Sequence, residues 1–159
     1  MSKAISIIMG SQSDLEIVCE TIKLLKEFKA GFEVRVLSAH RTPKELAAYV
    51  ELASRKGTKV FIAAAGGAAA LAGVVAAHTT LPVIGIPIET SALKGIDSLL
   101  STVQMPAGVP VASMAIGKAG AKNAALFALE ILGITNKKIS SALKRYRSEA
   151  AARIKAIKL

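Results

Sequence analysis

The chain of 159 residues contains no tryptophan, one cysteine, two histidines and only 4% aromatic residues. Cys19 has no second cysteine with which to form an intramolecular disulfide, and no Cys/His spacing resembles a zinc site, so neither staple is expected. A chain of this length needs neither, because it can bury roughly two thirds of the surface its unfolded form exposes. A dinucleotide fingerprint and a P-loop are missing as well. The first loop has glycine only at Gly10, and Gly117-Lys118-Ala119 lacks the required hydroxyl.

Formal charge is absent from the 29 residues between Val60 and Ile88. That length would allow a membrane span. Ala and Gly dominate the stretch, however, and Pro82 and Pro87 interrupt it, so it reads as a buried βαβ core. Acids are also scarce: 11 Asp and Glu stand against 21 Lys and Arg, for a net charge of +10. Of this, +7 falls between Lys137 and Leu159, leaving +3 for the rest. The basic residues of the body neither cluster nor alternate with aromatics, so neither a nucleic acid nor a membrane is expected as partner. The apolar run at Ile5-Ser6-Ile7-Ile8 is too short for a secretory leader, and a cytoplasmic location is expected.

What is present alternates regularly. Strands are predicted over Lys3 to Met9, 32–36, Val60 to Ala65, Val83 to Ile88 and Val109 to Ile116. Helices are predicted from about Leu15, over 42–55, 68–77, Ile96 to Val103 and about 119–132. Ser13 with Glu16 reads as a capping box, and Thr42-Pro43 with Glu45 as a second helix start. Strand–helix alternation implies a five-stranded parallel sheet with helices on both faces, an α/β domain over residues 1–135. Residues 136–159 lie outside that alternation. There Ile139, Leu143, Tyr146, Ala150, Ile154 and Ile157 recur at helical steps, and this amphipathic helix is expected to pack on a neighbouring subunit.

Ligands of open α/β sheets bind beyond the carboxyl ends of the strands. Three loops supply polar groups there: Gly10 to Asp14, Ser38 to Thr42, and Gly66 to Ala70. Ser11 and Ser13 at a helix start, with Arg41 as a forked counter-charge, would suit a single phosphate. Ser13 as a plain cap and Arg41 as a solvated charge is the alternative. His40, at the mouth of the second strand, could act as general acid and base or be incidental. Asp14 could accept from sugar hydroxyls or simply favour the helix start. His78, amid Ala and Thr, reads as structural.

Together these stretches resemble one family over nearly the whole chain. Met9-Gly10-Ser11-Gln12-Ser13-Asp14, Ser38-Ala39-His40-Arg41-Thr42-Pro43, Ala65-Gly66-Gly67-Ala68-Ala69, Leu81-Pro82-Val83-Ile84-Gly85-Ile86-Pro87, Asp97 to Pro106 with its Val-Gln-Met-Pro end, and Lys122-Asn123-Ala124-Ala125 resemble the 5-(carboxyamino)imidazole ribonucleotide mutases of purine synthesis, the class I PurE proteins. The resemblance implies a flavodoxin-like three-layer sandwich assembled as a homo-octamer, acting on a small ribonucleotide without metal or other cofactor. It further implies that Ser11, Ser13, Ser38 and Arg41 hold the 5′-phosphate and that Asp14 holds the ribose hydroxyls. Backbone amides of Gly67 and Ala68 would receive the carboxylate or carbon dioxide, and His40 would carry the proton. A carboxylase using dissolved carbon dioxide, or a non-catalytic phosphoribosyl-binding protein, are the alternatives. In one place the chain departs from the pattern: many members carry His after Gly-Gly-Ala-Ala, where this chain has Ala70. Among Ala69, Ala72 and Ala76, a histidine at position 70 is expected to overpack.

Overall fold

Ile5, Ile7, Ile8, Val60, Phe61, Ile62 and Ile84 are all fully buried, as strands covered on both faces require. In the computed structural model, which describes residues 3–158, they belong to β1 (Ile5–Met9), β3 (Val60–Ala65) and β4 (Val83–Pro87), with β2 (Phe32–Val36) and β5 (Ala112–Ser113) outside them. All pairings are parallel and the order is β2-β1-β3-β4-β5. The helices are α1 (Leu15–Glu27), α2 (Pro43–Arg55), α3 (Leu71–Ala77), α4 (Ile96–Val103), α5 (Lys118–Gly133) and α6 (Lys137–Lys155).

Side chains alternate across the sheet with period two and divide the core accordingly. Ile5, Ile7, Val60, Ile62, Ile84 and Ile86 point to the layer of α1 and α5, whereas Ile8, Phe61, Ala63 and Val83 meet Leu46 and Val50 of α2 and Leu71 and Val75 of α3. Ser6 is the polar exception inside β1. It is fully buried, and its hydroxyl shares a 2.7 Å hydrogen bond with Tyr49 of α2, whose own hydroxyl donates to Glu33 at 2.8 Å. Burial and that acceptor push the Tyr49 phenol up to about 12.

Three local expectations are corrected. The predicted capping box of Ser13 and Glu16 is replaced by one at Ser11 and Asp14. The chain leaves β1 through a 3-10 turn, Gln12–Asp14, and this delays α1 to Leu15. The helix predicted from Ala68 starts at Leu71, because Gly67 takes a left-handed φ of +66° and short bonds from Ala69 N–H to Gly67 and from Ala70 N–H to Ala68 hold a non-helical turn. The last strand, predicted over eight residues, is reduced to Ala112–Ser113. It lies at the sheet edge, paired on one side only, and Pro110 has no N–H to give a ladder.

The C-terminal stripe divides. Leu143 is buried, and Ile139 and Tyr146 pack on the core layer of this same chain, with the Tyr146 ring 5.6 Å from Phe28. Ile154 and Ile157 stay 70% and 63% exposed. Among the described residues no helix is long and apolar enough to cross a membrane, and the uncharged stretch Val60 to Ile88 is β3, α3 and β4.

Candidate active site

With β1 flanked by β2 and β3, the chain turns in opposite directions on the two sides of β1, and the crevice of an open α/β sheet lies at such a point. A cleft of about 570 Å³ opens there. Its walls are Gly10, Ser11, Ser13 and Asp14 after β1, Ser38 to Arg41 after β2, Ala65 to Leu71 without Gly67 after β3, and Ile88, Glu89 and Thr90 after β4. The topology therefore brings together Ser11, Ser13, Asp14, Ser38, His40, Arg41 and Ala68, residues up to 57 positions apart between Ser11 and Ala68.

The first wall is built by the turn after β1. Ser11 Oγ accepts from the Ser13 amide at 3.3 Å and from the Ser13 hydroxyl at 2.9 Å, while the Ser11 amide donates to Asp14 Oδ2 at 3.1 Å. Asp14 is thus a cap as well as a cleft residue, and it is only 7% exposed. Burial raises its pKa above the ordinary 3.8, against the lowering pull of the Ser11 and Ser13 bonds and of the Arg41 charge.

The sign of this shift makes a prediction. A carboxyl that holds its proton more tightly when folded favours folding at acid pH, and that contribution is lost as pH rises through the folded-state value. An Asp14→Asn substitution keeps an acceptor for the Ser11 amide and removes the buried charge. Its melting temperature should exceed that of the natural protein at neutral pH, and the gap should close towards pH 3. Melting curves at several pH values read this directly; a gap independent of pH would refute it.

The second wall is held by its own backbone. Thr42 Oγ1 does not cap α2 as predicted from Thr42-Pro43; it accepts from the Ser38 amide at 2.9 Å and donates to the Ser38 carbonyl at 3.1 Å. Pro43 opens the helix as expected. Ser38 Oγ accepts from the Arg41 amide at 3.2 Å, and Arg41 Nη2 donates to the Gly10 carbonyl at 2.8 Å, tying this loop to the first. The guanidinium is exposed and lines the cleft beside the hydroxyls of Ser11 and Ser13, a cation and hydroxyl set that suits a phosphate monoester. His40, also exposed, lines the same cleft, and none of the loop's hydrogen bonds uses its imidazole. His78 lies elsewhere, its Nδ1 3.7 Å from Glu51.

The third wall departs from expectation at Gly67. Gly67 does not line the cleft, and its amide donates to Ser98 Oγ at 3.1 Å, so it is not available to a carboxylate. Ala68 does line it, and among the described residues its amide makes no hydrogen bond. Ala70 also lines the cleft, whereas Ala69 and Ala72 are buried. The wall of Ile88, Glu89 and Thr90 was missed altogether. The apolar run ending at Ile88 pointed to a strand end, but a fourth loop at the crevice follows only from the sheet order.

A polar, cation-bearing crevice at the switch point of a doubly wound sheet is the kind of site that suits a small phosphorylated ligand. The chain belongs to the AIR carboxylase family, whose model matches residues 4–153. It is 54% identical over 145 residues to the N5-carboxyaminoimidazole ribonucleotide mutase of Pyrococcus abyssi, covering 91% of this chain and 82% of that protein. Against the mutase of Pseudomonas aeruginosa the identity is 53% over 148 residues, covering 93% and 91%. The crystal structure of Treponema denticola PurE superposes with a TM-score of 0.86 at 28% identity, covering 94% of this chain and 92% of that one. The three-layer α/β fold implied by the motifs is thus the fold observed.

Proposed function

We propose that this chain isomerises N5-carboxyaminoimidazole ribonucleotide to 4-carboxy-5-aminoimidazole ribonucleotide in purine biosynthesis. The observation that carries this reading is identity of about half, over nine tenths of the chain, to proteins of that activity. The cleft supplies a chemistry to match. Ser11, Ser13, Ser38 and Arg41 bind the 5′-phosphate, and Asp14 accepts from the ribose hydroxyls through lone pairs its cap bond leaves free.

The reaction breaks the bond between the exocyclic nitrogen and the carboxyl carbon, whose electron pair stays on nitrogen, releasing carbon dioxide. The neighbouring ring carbon then attacks that carbon dioxide and loses its proton. One proton is gained at nitrogen and one is lost at carbon, so a single group can deliver the first and recover the second. His40 is that group, since imidazole is the side chain that both gives and takes a proton near neutral pH. The Ala68 amide is a neutral donor for the carboxyl oxygens, and the apolar side chains of Ala69, Leu71 and Ile88 limit water around the gas.

The test is to offer the purified protein either the carbamate or 5-aminoimidazole ribonucleotide with bicarbonate. Turnover of the carbamate at low bicarbonate supports the mutase. Turnover only with bicarbonate would make it the carboxylase, and nucleotide binding without turnover would make it a binding protein.

The assembly we propose is a homo-octamer in the cytoplasm, where a phosphate ester that cannot cross a membrane is retained. Supporting the assembly is the inside-out pattern of α4. Ser98 and Thr102 face the body while Ile96, Leu100 and Val103, with Leu93 just before, are 49–58% exposed. The end of α6 and the residues just after it add Ile154 and Ile157, which we assign to a neighbouring subunit. Residues 151–158 are all exposed, so deleting residues from 151 onward should leave the fold intact and light scattering should show a smaller particle. A particle of unchanged subunit number would place that segment outside the assembly contacts.

A further inference from the structure

The third wall of the cleft contains no hydroxyl or charge, yet in the mutase reading above it is the wall that meets the carboxyl group. Its position comes from a residue outside the cleft. Ser98, in the first turn of α4 and fully buried, accepts from the Gly67 amide at 3.1 Å and donates to the Ile88 carbonyl at 2.7 Å. One hydroxyl thus joins the loop after β3 to the end of β4, the two segments that flank the carboxyl end of the cleft. The adjacent Asp97 repeats the bracing one residue further out: its carboxylate accepts from Thr90 Oγ1 at 2.9 and 3.0 Å.

The Gly67 carbonyl is held within its own loop by the Ala69 amide, and the bond to Ser98 is the one that ties Gly67 to another element. Its φ of +66° is left-handed, and a Cβ there would find no atom within 4 Å. A serine in a helix normally faces solvent, since burying a hydroxyl without partners costs free energy. This one is buried with both its donor and its acceptor used across two loops.

We propose that Ser98 is a positioning residue for the carboxylation step: by holding the Gly67 amide it sets the place of Ala68, whose amide meets the carboxyl group or the released carbon dioxide. The proposal rests on the mutase reading above. It predicts that loss of the hydroxyl lowers kcat without touching the phosphate end of the cleft, some distance away on β1 and β2.

The test compares Ser98→Ala with Thr102→Val. The latter removes another buried hydrogen bond of α4, from Thr102 to the Ser98 carbonyl, and leaves the loop after β3 alone. Ser98→Ala should lower kcat on the carbamate by about 10- to 100-fold, the scale of a displacement near 1 Å at a reacting centre. Affinity for ribose 5-phosphate should stay within about twofold, and Thr102→Val should keep the kcat of the natural protein. If Ser98→Ala does not accumulate, Ser98→Cys keeps the volume, weakens both bonds and should show an intermediate loss. Equal kcat losses in the Ser98 and Thr102 variants, or a Ser98 variant with unchanged kcat, would overturn the positioning role. A natural protein inactive on the carbamate would instead remove the mutase reading beneath it.

Discussion

Replacing His40 by asparagine should lower kcat by at least about 100-fold, the lower range for a positioned acid and base, while leaving the melting temperature and phosphate affinity unchanged. Asparagine keeps polarity and approximate size but cannot take up the proton from the ring carbon. Two features make the fold safe. His40 is exposed, and the bonds that shape its loop run between Ser38, Arg41, Thr42 and Gly10. Phosphate affinity is carried by other side chains of the cleft. Steady-state kinetics with a thermal melt of the same sample decides the matter: turnover close to that of the natural protein would end the assignment of His40 as proton carrier.

The largest expected loss of stability comes from adding a single methyl group at Gly120. A Cβ there would lie 1.6 Å from the Ala115 carbonyl oxygen and 2.6 Å from its carbon, both backbone atoms that cannot rotate away. The chain passes from β5 across the first turn of α5 at that point, and the approach is possible only without a side chain. Gly120→Ala should cost at least about 3 kcal/mol, the upper end of overpacking, and lower the melting temperature by about 10 °C for a chain of this size. Gly73→Ala is the comparison. It too lies in a helix, but its Cβ would meet only the flexible Met105 side chain at 3.3 Å, so the gain in helix propensity should offset the contact. A Gly120→Ala protein that melts like the natural one would show that the Ala115 carbonyl can move.

The cleft walls draw on four strand ends, and their legibility in the sequence differs with the kind of signal. Ser11, Ser13 and Asp14 were visible because a hydroxyl-rich loop follows a short β-branched run. Even so, assigning the cap to Ser13 overlooked the 3-10 turn, which the spacing of Ser13 and Glu16 cannot reveal. The resemblance alone implied Gly67 as an amide donor to a carboxylate, but a buried serine 31 residues further along takes the amide.

Local order determined what the sequence could state alone. A continuous apolar run placed β3 and a helical segment α4 at their observed limits, Pro43 opened α2, and the uncharged run marked the buried centre of the sheet. These features depend on neighbours along the chain, so they are written in it. Only the tertiary structure decided which loops face one another. The order β2-β1-β3-β4-β5 brought Glu89 and Thr90 to the cleft and turned Ala70 towards it, and it set Ser98 between two loops. It also divided the α6 stripe, since how far a helix follows its own body depends on where α1 and α5 end beneath it. Contacts between segments tens of residues apart are set by sheet order and by which face each helix covers, and neither leaves a periodic trace in the segments themselves.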